Sequence, residues 1–211
     1  TDRPTITYVP LTGEKFLRGL ITPIDPKNIF FMLQAGYAAD FILGLTVESL
    51  NGVSNRAAAG GQVREAEPDF IRALALLREI QNAGAFSLRV EEDPSRASTA
   101  VVIFRQDDVP AEIMEKGAEV RRLLKLPPEG SRFTLTFGPG RGGDLELAVN
   151  SRSMLQIMSA FASYLDVPAE HLNDHSASPG MQSGGNENGQ QSVRIRSGKE
   201  RPESAYAAVK Y

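Results

Sequence analysis

Four strand-like segments, three of them alternating apolar and polar residues with a period of two, constrain this chain most. Phe86, Leu88 and Val90 alternate with Ser87, Arg89 and Glu91; Phe133, Leu135 and Phe137 alternate with Arg132, Thr134 and Thr136. Leu145, Leu147 and Val149 alternate with Asp144, Glu146 and Ala148 after a GPGRGG turn. The segment Ala100 to Phe104 is apolar on both faces, which suits a central strand. The polar run Glu92 to Ser98 reads as the turn joining the first two segments, and GPGRGG as a hairpin turn joining the last two. Period two puts one face of each strand in a core and the other in water, the pattern of antiparallel sheets.

Helical spacing fills the intervals. Phe70, Ala73, Leu74, Leu77 and Ile80 repeat at three and four between Pro68 and Gly84. Ile113, Met114, Gly117, Val120, Leu123 and Leu124 do so ahead of Pro127-Pro128. Met154, Ile157, Met158, Phe161 and Leu165 follow a cap at Ser151 or Ser153. The order strand-strand-helix-strand-strand-helix predicts an α+β fold. It is a mainly antiparallel sheet of roughly five to seven strands with helices packed on one face.

An apolar helical segment is expected ahead of that sheet. Ile6, Tyr8 and Val9 form a first strand that Pro10 ends, and Thr12 caps a short helix with Phe16, Leu17 and Leu20. Asp25-Pro26 starts a second helix, whose run Ile29 to Leu33 is apolar on every side and predicts burial over most of its surface. Gly36 stops it. Asp40 opens a third helix with Phe41, Ile42, Leu43, Leu45, Val47 and Leu50, broken at Asn51-Gly52. The alternative to a buried core here is an apolar groove or partner surface.

The order ITYVPLTGEKF, LITPI, an apolar helix ending QAGY, then LTVESLNGVSN, with AYAAVKY near the end, resembles a family of uncharacterised bacterial envelope lipoproteins. The resemblance implies a periplasmic protein, membrane-anchored through a lipid outside these 211 residues. It implies no catalytic residue.

The expected organisation is a single α+β domain over residues 1–211. It comprises a helical segment at 12–84, sheet and helices at 85–172, a linker at 173–192 and terminal strands at 193–211. The linker is rich in Gly, Ser, Asn and Gln without apolar periodicity, the composition of a mobile segment. Residues 56–66, with Gly60-Gly61, read as a small-residue loop. The chain opens almost directly in a strand and closes in one at Tyr211, which reads as a processed or truncated piece. The strands Thr5 to Val9 and Ala205 to Tyr211 each need a neighbour. They are expected to pair with each other, or else one edge pairs with a second copy or with a segment following Tyr211.

Composition bounds the function. Charged residues make up 23% with a net charge of −3, without a basic stripe for nucleic acid. No apolar run reaches the roughly 18 residues a spanning helix needs. Cysteine is absent, which excludes disulfides and thiolate chemistry. GPGRGG lacks the Lys-Ser/Thr of a phosphate-binding loop, and a strand follows it in place of a helix N-terminus. Ser54 lacks a nucleophile-elbow pattern, and Glu91, Glu92, Asp93, Asp107 and Asp108 fall in turns as solvated carboxylates.

Two function classes follow. The first is a non-catalytic protein that binds another protein or itself, with no cofactor. The second is a small metal-dependent or hydrolytic enzyme using His171 and His175, the only histidines, spaced i, i+4. Pro168 and the adjoining linker leave the pair about one helical turn, too little to orient two ligands. Accordingly, replacing both histidines by alanine should leave the melting temperature unchanged with and without zinc. A zinc-dependent rise in the parent protein, lost in the double variant, would establish the metal site.

Overall fold

The computed structural model describes residues 13–59, 62–93, 96–140, 143–162, 165–166, 169–173 and 195–196. In chain order the elements are α1 (Glu14–Ile21), α2 (Pro26–Gln34), α3 (Ala39–Thr46), β1 (Val47–Leu50), β2 (Val53–Ser54), β3 (Ala57–Ala59), β4 (Gln62–Arg64) and α4 (Pro68–Asn82). There follow β5 (Phe86–Asp93), β6 (Arg96–Phe104), α5 (Ala111–Leu123), β7 (Arg132–Phe137), β8 (Glu146–Ser151), α6 (Met154–Ala162), β9 (Leu165–Asp166), α7 (Ala169–Asn173) and β10 (Ile195–Arg196). They fall in two compact units, residues 1–56 with 65–157, and residues 57–64 with 158–211.

The first unit is α+β. Its six-stranded sheet runs β2-β1-β8-β7-β6-β5, antiparallel except for β7 and β8. Register puts the apolar residues of the period-two pattern on one face: Phe86 opposes Phe104, Leu88 opposes Val102, and Val102 opposes Phe133. Helices α2 to α5 supply the rest of that core, with Phe30, Leu43, Leu76, Ile80 and Val120 all nearly solvent-free. Phe30, Phe86, Phe104 and Phe133 form a ladder of tilted and edge-to-face rings 5.8 to 6.0 Å apart from α2 across three strands. A fully buried ring such as Phe133 contributes about 1.5–3 kcal/mol. The central placement of β6 is borne out, between β5 and β7. The opposite face is not uniformly wet, since Val101 and Ala148 on it are buried.

Helix starts follow the expected chemistry at α2, where the Asp25 carboxylate accepts from the Lys27 N–H at 2.8 Å, and at α4, which begins on Pro68. The α6 cap resolves to Ser153. Its Oγ accepts from the Gln156 N–H, and the Gln156 side chain accepts from the Ser153 N–H at 2.8 Å, a reciprocal capping box. Ser151 instead donates to the Ile24 carbonyl and fastens the segment before α2 to the end of β8. Helix α5 ends at Leu123, ahead of the two prolines, with Lys125 at φ +56°.

The run Glu92 to Ser98 is not one turn: β5 continues to Asp93 and β6 begins at Arg96, so Glu91, Glu92 and Asp93 lie in a strand and not in turns. Helix α6 ends at Ala162, and Leu165 falls in β9. Four further expectations change. The third helix stops at Thr46, and Val47 to Leu50 form strand β1, which pairs with β8 inside the sheet. A buried β-branched residue followed by a tight Asn-Gly turn suits a hairpin as well as a helix end. The segment ahead of the sheet is not buried on most of its surface. Helix α1 has no buried residue, and Phe31 on α2 is 64% exposed. The residues around Gly60-Gly61 include the antiparallel ladder of β3 with β4, which belongs to the second unit. Finally, GPGRGG is not a hairpin turn. Strands β7 and β8 are parallel, Leu135 opposing Leu147, so the chain between them has to come back past the length of a strand. Eight residues can span roughly 26 Å, ample to retrace a strand of about six residues at roughly 3.3 Å each. Period two is common to parallel and antiparallel strands, so the alternation could not distinguish them.

The second unit also contains β9 paired in parallel with β10, Ile195 opposing Leu165, and the five-residue α7. The first strand, the Thr12 cap, the 176–190 linker and the AYAAVKY strand lie outside the described residues.

Buried polar side chains tie the first unit together. Asn51, at φ +47°, donates from Nδ2 to the Leu124 carbonyl and accepts from the Ala148 N–H, both at 2.8 Å. Asn55 donates to the carbonyls of Gly44 and Val47, and Arg152 to those of Gly44, Leu45 and Arg56. Asn51→Ala should therefore lower stability by about 2–4 kcal/mol, because two buried backbone groups lose their partners. Asn51→Gly should lose about 1 kcal/mol less, since it relaxes the left-handed backbone. Urea unfolding midpoints check both; parent-like midpoints would contradict the clamp.

Candidate functional site

The sequence-proposed chemistry does not assemble among the described residues. His171 sits in α7, with its side chain outside the described set, and His175 lies outside it altogether. No group of three or more His, Cys, Asp or Glu side chains converges among the described residues. Ser54 sits in edge strand β2, its N–H donating to the Glu67 carboxylate and its carbonyl accepting from the Glu67 N–H. Glu91 is ion-paired to Arg132 across the sheet. Asp107 and Asp108 are exposed in the turn before α5, with Asp108 at φ +57°. The side chains of Glu92 and Asp93 are outside the described set.

A different site emerges between α4, α5 and the end of β6. It is a cavity of about 140 Å³ in the first unit. Buried Ile80, Ala85 and Phe104 line it together with Arg121, and exposed Arg105 and Gln106 stand at it. Helix α5 is held against α4 at this point by two ion pairs, Lys116 with Glu79 at 2.6 Å and Arg72 with Glu119 at 2.9 Å. The hydrogen bond from Arg72 holds the Glu119 carboxyl below its ordinary range, against a smaller opposing effect of burial. A depressed carboxyl pKa stabilises the fold at neutral pH, and that contribution is lost as pH falls through the carboxylate range. Both partners face solvent, so it is small.

Arg121 is the unusual member. It is only 8% exposed, yet it makes no hydrogen bond or ion pair among the described residues, and its Nε is sealed from water without a partner. Burial pushes its pKa down, and the Glu129 carboxylate nearby opposes this. Gly117, one turn earlier, lies beside the guanidinium: a Cβ there would make ordinary contact, 3.5 Å from Nη1. A small residue four positions before an arginine, inside an apolar repeat, was the only trace of this in the sequence.

The second candidate is a set of exposed apolar side chains on α1 to α3. Leu17 and Ile21 of α1, Phe31 of α2, Tyr37 in the turn and Phe41 of α3 are all more than half exposed. On α1, Phe16, Leu17, Leu20 and Ile21 share one side, and Glu14 and Arg18 pair on another. An antiparallel bridge from Pro23 to Ser153 carries the end of α1 to the start of α6, where Met154 and Leu155 are also exposed.

No protein family, curated protein or solved structure matches the chain. Among the described residues, no helix is long and apolar enough to cross a membrane.

An unpaired buried cation weakens a fold. Arg121→Met should therefore raise the unfolding free energy by about 1 kcal/mol at neutral pH, read by urea denaturation. A loss of more than about 1 kcal/mol would mean that Arg121 has a structural partner and no freedom for a ligand.

Proposed function

We propose that this chain is the folded part of a non-catalytic bacterial envelope protein, lipid-anchored in its full-length form and placed in the periplasm, that binds protein through the outer surface of α1 to α3. The resemblance of its N-terminal stretch and of AYAAVKY to envelope lipoproteins supports the compartment and the anchor. One observation carries the binding reading: five large apolar side chains, Leu17, Ile21, Phe31, Tyr37 and Phe41, stand exposed on neighbouring helices and their connecting turn. Monomeric soluble domains rarely leave such surface open, and aromatic residues are enriched where proteins meet.

The surface does not resemble a catalytic cleft. Its Asp and Glu side chains, among them Glu14 and Asp40, form no metal-holding cluster among the described residues, and it presents apolar side chains that gain most by being covered. A partner with a complementary apolar groove, or a second copy of the chain, would bury them.

A photo-crosslinking residue in place of Phe31 tests this in the full-length, membrane-anchored protein. It should give one adduct of discrete mass. Twice the protomer mass identifies self-association, and any other discrete mass a different protein. The yield should fall by roughly tenfold when Phe41 is changed to Asp, the loss expected from one central anchor residue. The same crosslinker at exposed Glu115 on α5 serves as the control. Absence of a discrete adduct, or equal yields at both positions, would overturn the proposal.

A further inference from the structure

We infer that the cavity beside Arg121 is a binding site for a small monocarboxylate with a short apolar chain, its carboxylate held by the Arg121 guanidinium and its chain against Ile80, Ala85 and Phe104. This site is separate from the α1 to α3 surface and does not depend on how that surface is used.

Three observations define the ligand. The first is charge. Arg121 is over nine-tenths buried, with its Nε sealed from water and no hydrogen-bond or ion-pair partner among the described residues, and an anion is the partner that such a cation lacks. Arg105, exposed at the cavity, adds a second positive charge on the approach. The second is shape. A guanidinium presents its N–H groups as a planar fork that matches the two oxygens of a carboxylate. Phosphate or sulfate would need donors beyond this one fork, which only Arg105 and Gln106 at the exposed side could add, while Ile80, Ala85 and Phe104 offer none. The third is size. At roughly 30 Å³ per water, a 140 Å³ cavity holds about five waters, the room of a ligand of about six heavy atoms. Butyrate has the right size and polarity.

The surrounding charges set the competition. Glu129 faces the guanidinium from the loop after α5, beyond ion-pair distance, and it disfavours an incoming anion. Asp107 and Asp108 continue the chain beyond Gln106 at the cavity. Lys116, one turn before Val120 on α5, is already engaged by Glu79 and Glu112 and contributes little free charge. Arg121 is therefore the group on which binding depends.

The test titrates the ¹⁵N-labelled full chain with sodium butyrate at fixed pH and matched ionic strength. Parallel titrations use n-butanol, butylammonium and inorganic phosphate. Butyrate should shift the amides from Met114 to Arg121 saturably. Phosphate should bind about tenfold more weakly, and the uncharged and cationic probes should give no saturable shift. Arg121→Met should weaken butyrate binding by roughly tenfold or more while leaving amides elsewhere in place. Glu129→Gln should tighten it severalfold, because a competing carboxylate is gone. Failure of butyrate to saturate, equal response to butanol, or an unchanged affinity in Arg121→Met would overturn the assignment and reduce the cavity to a packing void.

Discussion

The sheet of the first unit depends on the burial of Asn51 in the Asn51-Gly52 turn. A tight turn at the edge of a protein usually satisfies its polar groups with water. Here Asn51 is only 6% exposed, and its side chain replaces water for the Leu124 carbonyl and the Ala148 N–H. One amide thus ties the β1–β2 hairpin to the end of α5 and to the middle of β8. Asn55 and Arg152 repeat the device at the other end of β1, using carbonyls of α3's last turn and of Arg56. Such networks stabilise a fold only when every member is satisfied, so they also specify it: a shift of β1 by one residue would leave several buried carbonyls bare. Gln81 does the same between helices. It accepts from the Ala39 N–H and donates to the carbonyls of Leu33 and Tyr37, capping the end of α2 and the start of α3 from α4.

Against that background Arg121 stands out. Asn51, Asn55 and Arg152 are spent on closing the backbone's own donors and acceptors, whereas the Arg121 Nε, like Thr136 Oγ1 on β7, closes nothing. Arg121 lies on a helix that pairs with its neighbour through Arg72–Glu119 and Lys116–Glu79. An unsatisfied donor held between two packed helices is an arrangement that preorganised binding sites share, at some expense of stability. The exposed side chains of α1 to α3 have the opposite character: they are apolar, suited to area and not to a fixed hydrogen-bond pattern.

What was legible in the sequence follows from which signals are local. Helix α4 could be read from Pro68 to Gly84 because its cap, stripe and stop lie within the helix itself. The four sheet strands could be read because alternation is a property of each strand alone. What alternation lacks is the identity and direction of the neighbour, and so the parallel pairing of β7 with β8 was invisible behind a glycine-rich turn that looked like a hairpin. Val47 to Leu50 read as the continuation of a helix because a short buried strand has no period of its own, and it becomes a strand only through β8 and β2. Exposure was equally hidden. Phe30 and Phe31 are adjacent and chemically identical, yet one is 1% and the other 64% exposed, a difference set by which side α2 turns to the sheet. Arg121 looked like one charge among several on α5, and only the packing of α4 against α5 buries it.

The central functional claim is that the outer surface of α1 to α3 is covered in the working protein. Hydrogen exchange of the full-length protein, measured in native membranes and again after purification to a dilute monomer, tests it most directly. Covering should slow exchange in residues 14–46 in the membrane sample by at least about tenfold, with α4 and α5 unchanged. Equal exchange of residues 14–46 in the two samples would contradict it.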